Sequence, residues 1–232
     1  MTKPPVIDII IPAYNEEQSI TKVIRDIPAG LAREIIVCNN NSSDMTADFA
    51  ISAGAKVLLQ PQKGYGAACM TGIKFISGKP LDEHPDIIVF MDADYSDFPQ
   101  ELPTLIEPIS RGHDLVIGSR ILGLAQRGSL TPQQRFGNWI ATTLIKFLYG
   151  FQFTDLGPFR AIRWNKLMEL DMQDKDFGWT AEMQIKALKH KLKCIEVPVS
   201  YRKRIGESKI SGTMKGTILA GYKIIWTVLK WC

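Results

Sequence analysis

The sequence predicts an α/β protein: a doubly wound, mostly parallel sheet with helices on both faces, followed by an amphipathic C-terminal helix. Three observations predict it. Strand and helix patterns alternate over the first 120 residues. The strands are short apolar runs rich in β-branched residues, as in a sheet covered on both faces. Several strands end in polar loops, where an open parallel sheet binds its ligands.

The elements follow in order. Residues 6–11 form a strand that ends at Pro12-Ala13-Tyr14-Asn15-Glu16. A helix follows, with Ile20, Val23, Ile24 and Ile27 on one face. Residues 34–38 form a second strand, ending at Asn39-Asn40-Asn41-Ser42-Ser43-Asp44. Asp44 caps a helix over 45–53. Residues 56–59 form a third strand, and the turn 60–66 opens a helix over 67–77. The fourth strand is the apolar run Ile87-Ile88-Val89-Phe90-Met91, which stops at Asp92-Ala93-Asp94. Leu102, Leu105, Ile106 and Ile109 mark a helix over 101–110, and 115–117 a fifth strand before Gly118-Ser119-Arg120. The second half is less regular. It predicts an apolar helix over 138–151, a short connection over 154–160 carrying Asp155, and a helix over 180–190 carrying Glu182. A strand over 194–201 and a basic loop over 202–212 precede the terminal helix, 213–232. That helix carries Ile218, Leu219, Tyr222, Ile225, Trp226 and Leu229 on one stripe. The division expected is therefore one domain over 1–212 and a helical appendage over 213–232.

Composition narrows the class. With 232 residues and 45% hydrophobic content, the chain is an ordinary soluble protein rather than a disordered one. Cys38, Cys69, Cys194 and Cys232 have no metal-ligand spacing and read as reduced thiols of a cytosolic protein. Neither a signal peptide nor a transmembrane run is predicted. The net charge of +4 is uneven: residues 186–232 carry +9 and the first 185 carry −5. A basic C-terminal portion suits an anionic partner such as phosphate, a membrane surface or nucleic acid; the plainer alternative is a solvated helix face.

Asp92 and Asp94 end a buried strand with no basic residue beside them. Two such carboxylates suit Mg²⁺ or Mn²⁺, which in turn binds diphosphate oxygens; the alternative is that they cap the next turn. Tyr14, Asn15 and Glu16 can hold a base or ribose, and residues 39–44 offer amides and a carboxylate for the same task. Lys63, with Gly64 and Gly66 at a helix start, suits phosphate. Each loop is also ordinary turn material, but their recurrence at successive strand ends predicts a nucleotide site.

Ile11-Pro12-Ala13-Tyr14-Asn15-Glu16-Glu17, residues 39–46, Gly64-Tyr65-Gly66-Ala67-Ala68 and Met91-Asp92-Ala93-Asp94 occur in an order that resembles the family 2 glycosyltransferases. Asp155-Leu156-Gly157-Pro158-Phe159-Arg160 and Arg204-Ile205-Gly206-Glu207-Ser208-Lys209 agree. The sequence looks most like the dolichyl-phosphate mannose synthase-like and bacterial polyprenyl-phosphate branch. The resemblance implies a GT-A fold and an inverting, metal-dependent transfer of a hexose from UDP-glucose or GDP-mannose to a polyprenyl phosphate. It implies that Pro12, Tyr14, Asn15, Glu16, Asn39, Asn41, Asp44, Lys63, Gly64, Asp92, Ala93, Asp94 and Arg120 bind the nucleotide sugar. Asp92 and Asp94 would hold Mg²⁺ or Mn²⁺, and Arg135, Arg204 and Lys209 would meet the acceptor. Asn39 and Asn40 replace an Asp pair, and Ser96 stands where close relatives place a metal-binding Gln, with Asp97 as a substitute ligand. Arg204 and Lys209 count among the catalytic residues. Asp155 and Glu182 join them as candidate bases for a hydroxyl acceptor; the alternative for both is a structural ion pair.

The partners implied are a nucleotide sugar, a lipid phosphate and a membrane surface, with no nucleic acid. The terminal helix and the helix over 138–151 are candidate interface helices; the alternative for both is packing against the sheet or a partner subunit. They imply peripheral attachment at the cytoplasmic face of the membrane. Competing readings are a soluble hydroxyl acceptor, a nucleotidyltransferase, or a non-catalytic binding module. The N-terminal Gly-rich, basic loop of nucleotidyltransferases is missing here.

Overall fold

A computed structural model describes residues 4–206 and 214–231. In chain order the elements are β1 (Ile7–Ala13), α1 (Ile20–Arg25), β2 (Glu34–Asn39), α2 (Thr46–Ser52), β3 (Lys56–Leu59) and α3 (Tyr65–Ser77). There follow β4 (Ile87–Phe90), α4 (Leu102–Ser110), β5 (Leu115–Ser119), α5 (Pro132–Tyr149), β6 (Arg160–Arg163) and α6 (Trp164–Leu170). The last are α7 (Trp179–Lys189), β7 (Cys194–Pro198) and α8 (Met214–Lys230).

Seven strands form one sheet in the order β3-β2-β1-β4-β6-β5-β7. All neighbours are parallel except β6, which runs antiparallel between β4 and β5. Alternation along each strand sends side chains to two cores. Ile10, Ile36, Ile88, Phe90 and Ile117 pack on one face with α3, α5, α6 and α7. Ile9, Ile11, Val37, Val89 and Val116 pack on the other with α1, α2 and α4. The carboxyl ends of β1, β2 and β4 therefore open on one edge, with the start of β6 beside them.

Three local expectations change. The segment expected as a connection over 154–160 leads into β6, whose centre, Ala161 and Ile162, is fully buried. A four-residue strand with arginine at both ends carries almost no apolar pattern. Arg160 is itself buried because its guanidinium donates to the carbonyls of Leu156, Gly157 and Thr180. Secondly, α5 begins at Pro132 rather than 138, capped by a reciprocal Thr131–Gln134 box, and ends at left-handed Gly150. It buries Ala141, Thr142 and Ile145 and leaves Trp139 and Phe147 61% and 85% exposed. Thirdly, α2 begins at Thr46 with Met45 at its N-cap and no side-chain cap, so Asp44 stands one residue ahead of the cap expected of it. The inner edge of α8 is formed by Thr227 and Val228, and Tyr222, Trp226 and Leu229 of the expected stripe are exposed; the side chains of Ile218 and Leu219 lie outside the described residues. Cys38, Cys69 and Cys194 are free thiols, and burial pushes Cys38 up to about 12. Among the described residues no helix is long and apolar enough to cross a membrane.

Candidate active site

The strand-end loops, the 60–66 turn, Asp176, Phe177 and Arg204 enclose a cavity of about 350 Å³. Pro12, Tyr14 and Glu16 line it after β1, Lys63 and Gly64 before α3, and Asp92, Ala93 and Asp94 after β4. Arg204 closes it from the chain beyond β7. These nine are the sequence-predicted residues that the fold brings together.

Lys63 Nζ donates to the Tyr14 hydroxyl at 2.6 Å and sits 4.5 Å from its ring centroid. The cavity thus presents an aromatic face and a cation side by side, a fit for a base and its phosphates. Gly64 is left-handed at φ 147°, and a Cβ there would lie 2.1 Å from the Lys175 carbonyl oxygen. Only glycine fits that position.

The acidic end is built around Asp92, Asp94 and Asp97. Asp94 Oδ1 accepts the N–H and hydroxyl of Ser96 at 2.9 and 2.5 Å. Its Oδ2 lies 3.2 Å from Arg204, whose guanidinium also donates to Glu16 at 2.9 Å. The N–H of Ile205 donates to the Asp94 carbonyl and fixes this stretch over the β4 edge. Asp92 Oδ1 and Asp97 Oδ1 are buried without a hydrogen-bond partner. Burial, then the Asp94 charge, pushes Asp92 up to about 7, with Arg204 and the Tyr65 hydroxyl opposing. Burial, then Asp92 and Asp94, raises Asp97 well above the usual carboxylate range.

Orphaned carboxylate oxygens beside a cavity fit a hard divalent cation such as Mg²⁺ or Mn²⁺ at Asp92 and Asp94. Among the described residues no group of three His, Cys, Asp or Glu side chains can hold an ion alone. Diphosphate and water oxygens would complete the shell, the usual arrangement for Mg²⁺. Ser96 spends its hydroxyl on Asp94, and Asp97 faces the Asp92 N–H rather than the cavity, so neither supplies an evident third ligand.

Other expected site residues are placed elsewhere. The Asn15 side chain accepts the Ser43 N–H, and that of Asn39 accepts the Ser42 N–H. Asp44 accepts the Thr46 and Glu17 N–H groups. Asn41 is exposed in a left-handed turn, at φ 61°. These four shape the loops and do not line the cavity. The asparagine that does is Asn40, whose amide donates to the carbonyls of Gln60 and Gln62 while its oxygen accepts the Gly64 N–H.

Arg120 and Asp155 form a side-on pair with two contacts of 2.7 Å, and the Arg120 N–H adds a third at 2.9 Å. Glu182 accepts the N–H groups of Gln173 and Asp174 and pairs with Lys186 at 2.8 Å. Both carboxylates are completely buried. The ion-pair alternative, not a free base, describes their geometry, and Arg120 is turned to Asp155 instead of the cavity. Arg135 is exposed on the first turn of α5 and does not line the cavity. Lys209 lies outside the described residues. Tyr65, Asp176 and Phe177 line the cavity without having been expected. The last two belong to an irregular connection with no periodicity to read.

The comparisons agree with this geometry. Residues 8–170 match the profile of Glycosyl transferase family 2. The dolichyl-phosphate hexose transferase of Haloferax volcanii is 32% identical over 96% of this chain and 93% of its own. The undecaprenyl-phosphate mannosyltransferase of Micrococcus luteus is 30% identical over 89% and 88%. Among solved structures, glucosyl-3-phosphoglycerate synthase of Mycobacterium tuberculosis, in complex with Mn²⁺, UDP-glucose and glycerol 3-phosphate, superposes with a TM-score of 0.74. That match covers 98% of this chain and 80% of the synthase at 24% identity, a likeness of fold. With six of the seven strands and the Asp92–Asp94 edge inside the matched span, and a relative 32% identical over 96% of the chain, the chain belongs to glycosyl transferase family 2 and is a glycosyltransferase of the GT-A fold.

Proposed function

We propose that the enzyme moves a hexose from UDP-glucose or GDP-mannose to a polyprenyl phosphate, with inversion, at a membrane surface it meets peripherally on the cytoplasmic side. One observation carries the acceptor class. The two carboxylates that were candidates for a general base are both buried in structural pairs. A hydroxyl acceptor must lose a proton, whereas a phosphate monoester, with a second pKa of about 6, is already largely ionised at pH 7. The relatives named for dolichyl and undecaprenyl phosphate support the same reading.

Tyr14, Pro12 and Lys63 hold the nucleotide, and Arg204 faces the phosphates. Mg²⁺ or Mn²⁺ at Asp92 and Asp94 would supply Lewis-acid stabilisation of the departing diphosphate. The acceptor oxygen attacks the anomeric carbon from the opposite face as the bond to the diphosphate oxygen breaks, and a nucleoside diphosphate leaves. A second reading has one observation behind it: Asp176, a cavity-lining carboxylate raised by burial and by Asp174, can serve as base for a hydroxyl acceptor.

The test crosses labelled UDP- and GDP-sugars with polyprenyl phosphate and Mn²⁺. Label is expected in the organic phase only with lipid and metal, and Asp176→Asn should retain that transfer. A loss of about 10²-fold or more in Asp176→Asn, with a soluble product, would move the assignment to the hydroxyl acceptor.

The membrane part rests on the outward faces of α5 and α8. These helices carry exposed Trp139, Tyr222 and Trp226, amphipathic rings that favour a lipid interface, and the apolar ring of Phe147. Phe147→Ser combined with Trp226→Ser is expected to weaken co-sedimentation with anionic vesicles at least about tenfold. Unaltered co-sedimentation would retire the membrane reading.

A further inference from the structure

Glu182 and Asp174 together hold one stretch of backbone. The Glu182 carboxylate receives the N–H groups of Gln173 at 3.0 Å and Asp174 at 2.7 Å, fastening the start of the 171–178 connection. Asp174 fastens its end: Oδ1 receives the N–H groups of Asp176 at 2.8 Å and Gly178 at 3.2 Å. The other oxygen, Oδ2, lies 3.3 Å from Lys223 Nζ on α8. Asp176 and Phe177, the residues so held, form one wall of the cavity.

The connection is gripped from two further sides. The Ala67 N–H on the first turn of α3 donates to the Lys175 carbonyl at 2.9 Å. A Cβ on Gly66 would lie 2.0 Å from the Asp174 carbonyl oxygen, and one on Gly178 would lie 2.2 Å from Thr227 Oγ1 of α8. Backbone therefore touches backbone on the α3 side, and α8 presses directly on the far side. Among the described residues the charged link from the terminal helix to this connection is Lys223 to Asp174, whose side chain is 8% exposed.

We propose that Asp174 and Lys223 are positioning residues of the substrate site, and that α8 is part of that site's architecture rather than an appendage. The proposal rests on the reading of the cavity as a nucleotide-sugar site. Lys223 is 40% exposed and its pair with Asp174 is open to solvent on that side, so the pair adds little to global stability and Lys223 can be removed without unfolding the chain. Misplacing a substrate contact by a fraction of an ångström is a larger matter for binding and turnover.

The experiment is a double-mutant cycle on the full chain. It reads the Kd of UDP and GDP with Mn²⁺ by calorimetry, and amide exchange over 173–178. Lys223→Met is expected to weaken the bound nucleotide about threefold, the scale of one partly exposed pair. Asp174→Asn keeps the acceptor for 176 and 178 but loses the charge, so it should match Lys223→Met. The double variant should then be no worse than either single one. Lys223→Arg should restore wild-type affinity. Asp174→Ala, which frees two N–H groups, should cost about tenfold or more. Amides 176 and 178 should exchange faster in Lys223→Met. Unchanged affinity and exchange in Lys223→Met, or additive losses in the double variant, would overturn the proposal. If the wild type binds neither nucleotide, the donor reading fails instead, and amide exchange alone decides whether Lys223 holds the wall.

Discussion

Asp94→Ala is expected to lower transfer by about 10³-fold, the scale of losing a preorganised electrostatic contact to the leaving group, while the chain stays folded. Asp94 meets the cavity with one oxygen and the protein with the other. Oδ1 is held by Ser96, so the carboxylate cannot turn away. Oδ2 is balanced by Arg204, which keeps Glu16 as a second partner if Asp94 is lost. Truncation removes the Ser96 contacts, at about 1–2 kcal/mol, and also removes a charge that repels Asp92. The two effects oppose, so the melting temperature should move little. Asp94→Asn separates charge from shape. It keeps an acceptor for Ser96, and it should be nearly as inactive as Asp94→Ala if the anion is what matters. Near-wild-type turnover in either variant would sink the assignment of Asp94 to the metal and diphosphate. Dichroism on the same samples distinguishes loss of chemistry from loss of fold.

The same residues show what a sequence can and cannot reveal. The first five strands are legible because each carries a short apolar run, β-branched in most of them, and the Asp92–Asp94 edge is legible because the fourth ends there. Strand β6 is not, since its pairing between β4 and β5 is decided by neighbours that arrive earlier in the chain. Its arginine is paid for by carbonyls that only the folded chain supplies. In the 39–44 loop, residue type alone cannot divide scaffold from lining: Asn39 turns back on Ser42 while Asn40 reaches across to Gly64. Lys63 and Tyr14 meet across 49 residues. The 171–178 connection is held by Glu182, a residue that the sequence offers as a candidate base or as half of an ion pair; its backbone partners, Gln173 and Asp174, are supplied only by the fold. For α5, aromatic residues at helical spacing read equally as core or as interface, and the fold places Trp139 and Phe147 outward.

Protonation of the acidic cluster leads to a stability prediction that does not depend on turnover. An ordinary aspartate titrates near 3.8, whereas Asp92 in the folded, metal-free chain is pushed up to about 7. Between those values the folded state therefore holds a proton that the unfolded state has released. Stability must fall as pH rises through that window, because the unfolded state binds fewer protons there. Asp97, raised by burial and by the Asp92 and Asp94 charges, acts in the same direction. The metal-free protein is thus expected to melt several degrees lower at pH 8 than at pH 5. On this account each kcal/mol moves the midpoint of a chain this size by about 2–4 °C. Mn²⁺ binds the ionised carboxylates and competes with the proton, so its stabilisation should be small at pH 5 and large at pH 8. Asp92→Asn removes the charge that burial disfavours. It should raise the metal-free melting temperature at pH 8 above that of the wild type, flatten the pH dependence and cancel most of the Mn²⁺ effect. A wild-type midpoint that rises from pH 5 to pH 8 without metal, or an Asp92→Asn variant that still gains fully from Mn²⁺, would show that Asp92 is not the carboxylate that carries this linkage. Arg204 gives the same experiment an internal control: Arg204→Met strips the nearest opposing charge from Asp92 and Asp94, so it should deepen the loss at pH 8 and enlarge the recovery by Mn²⁺.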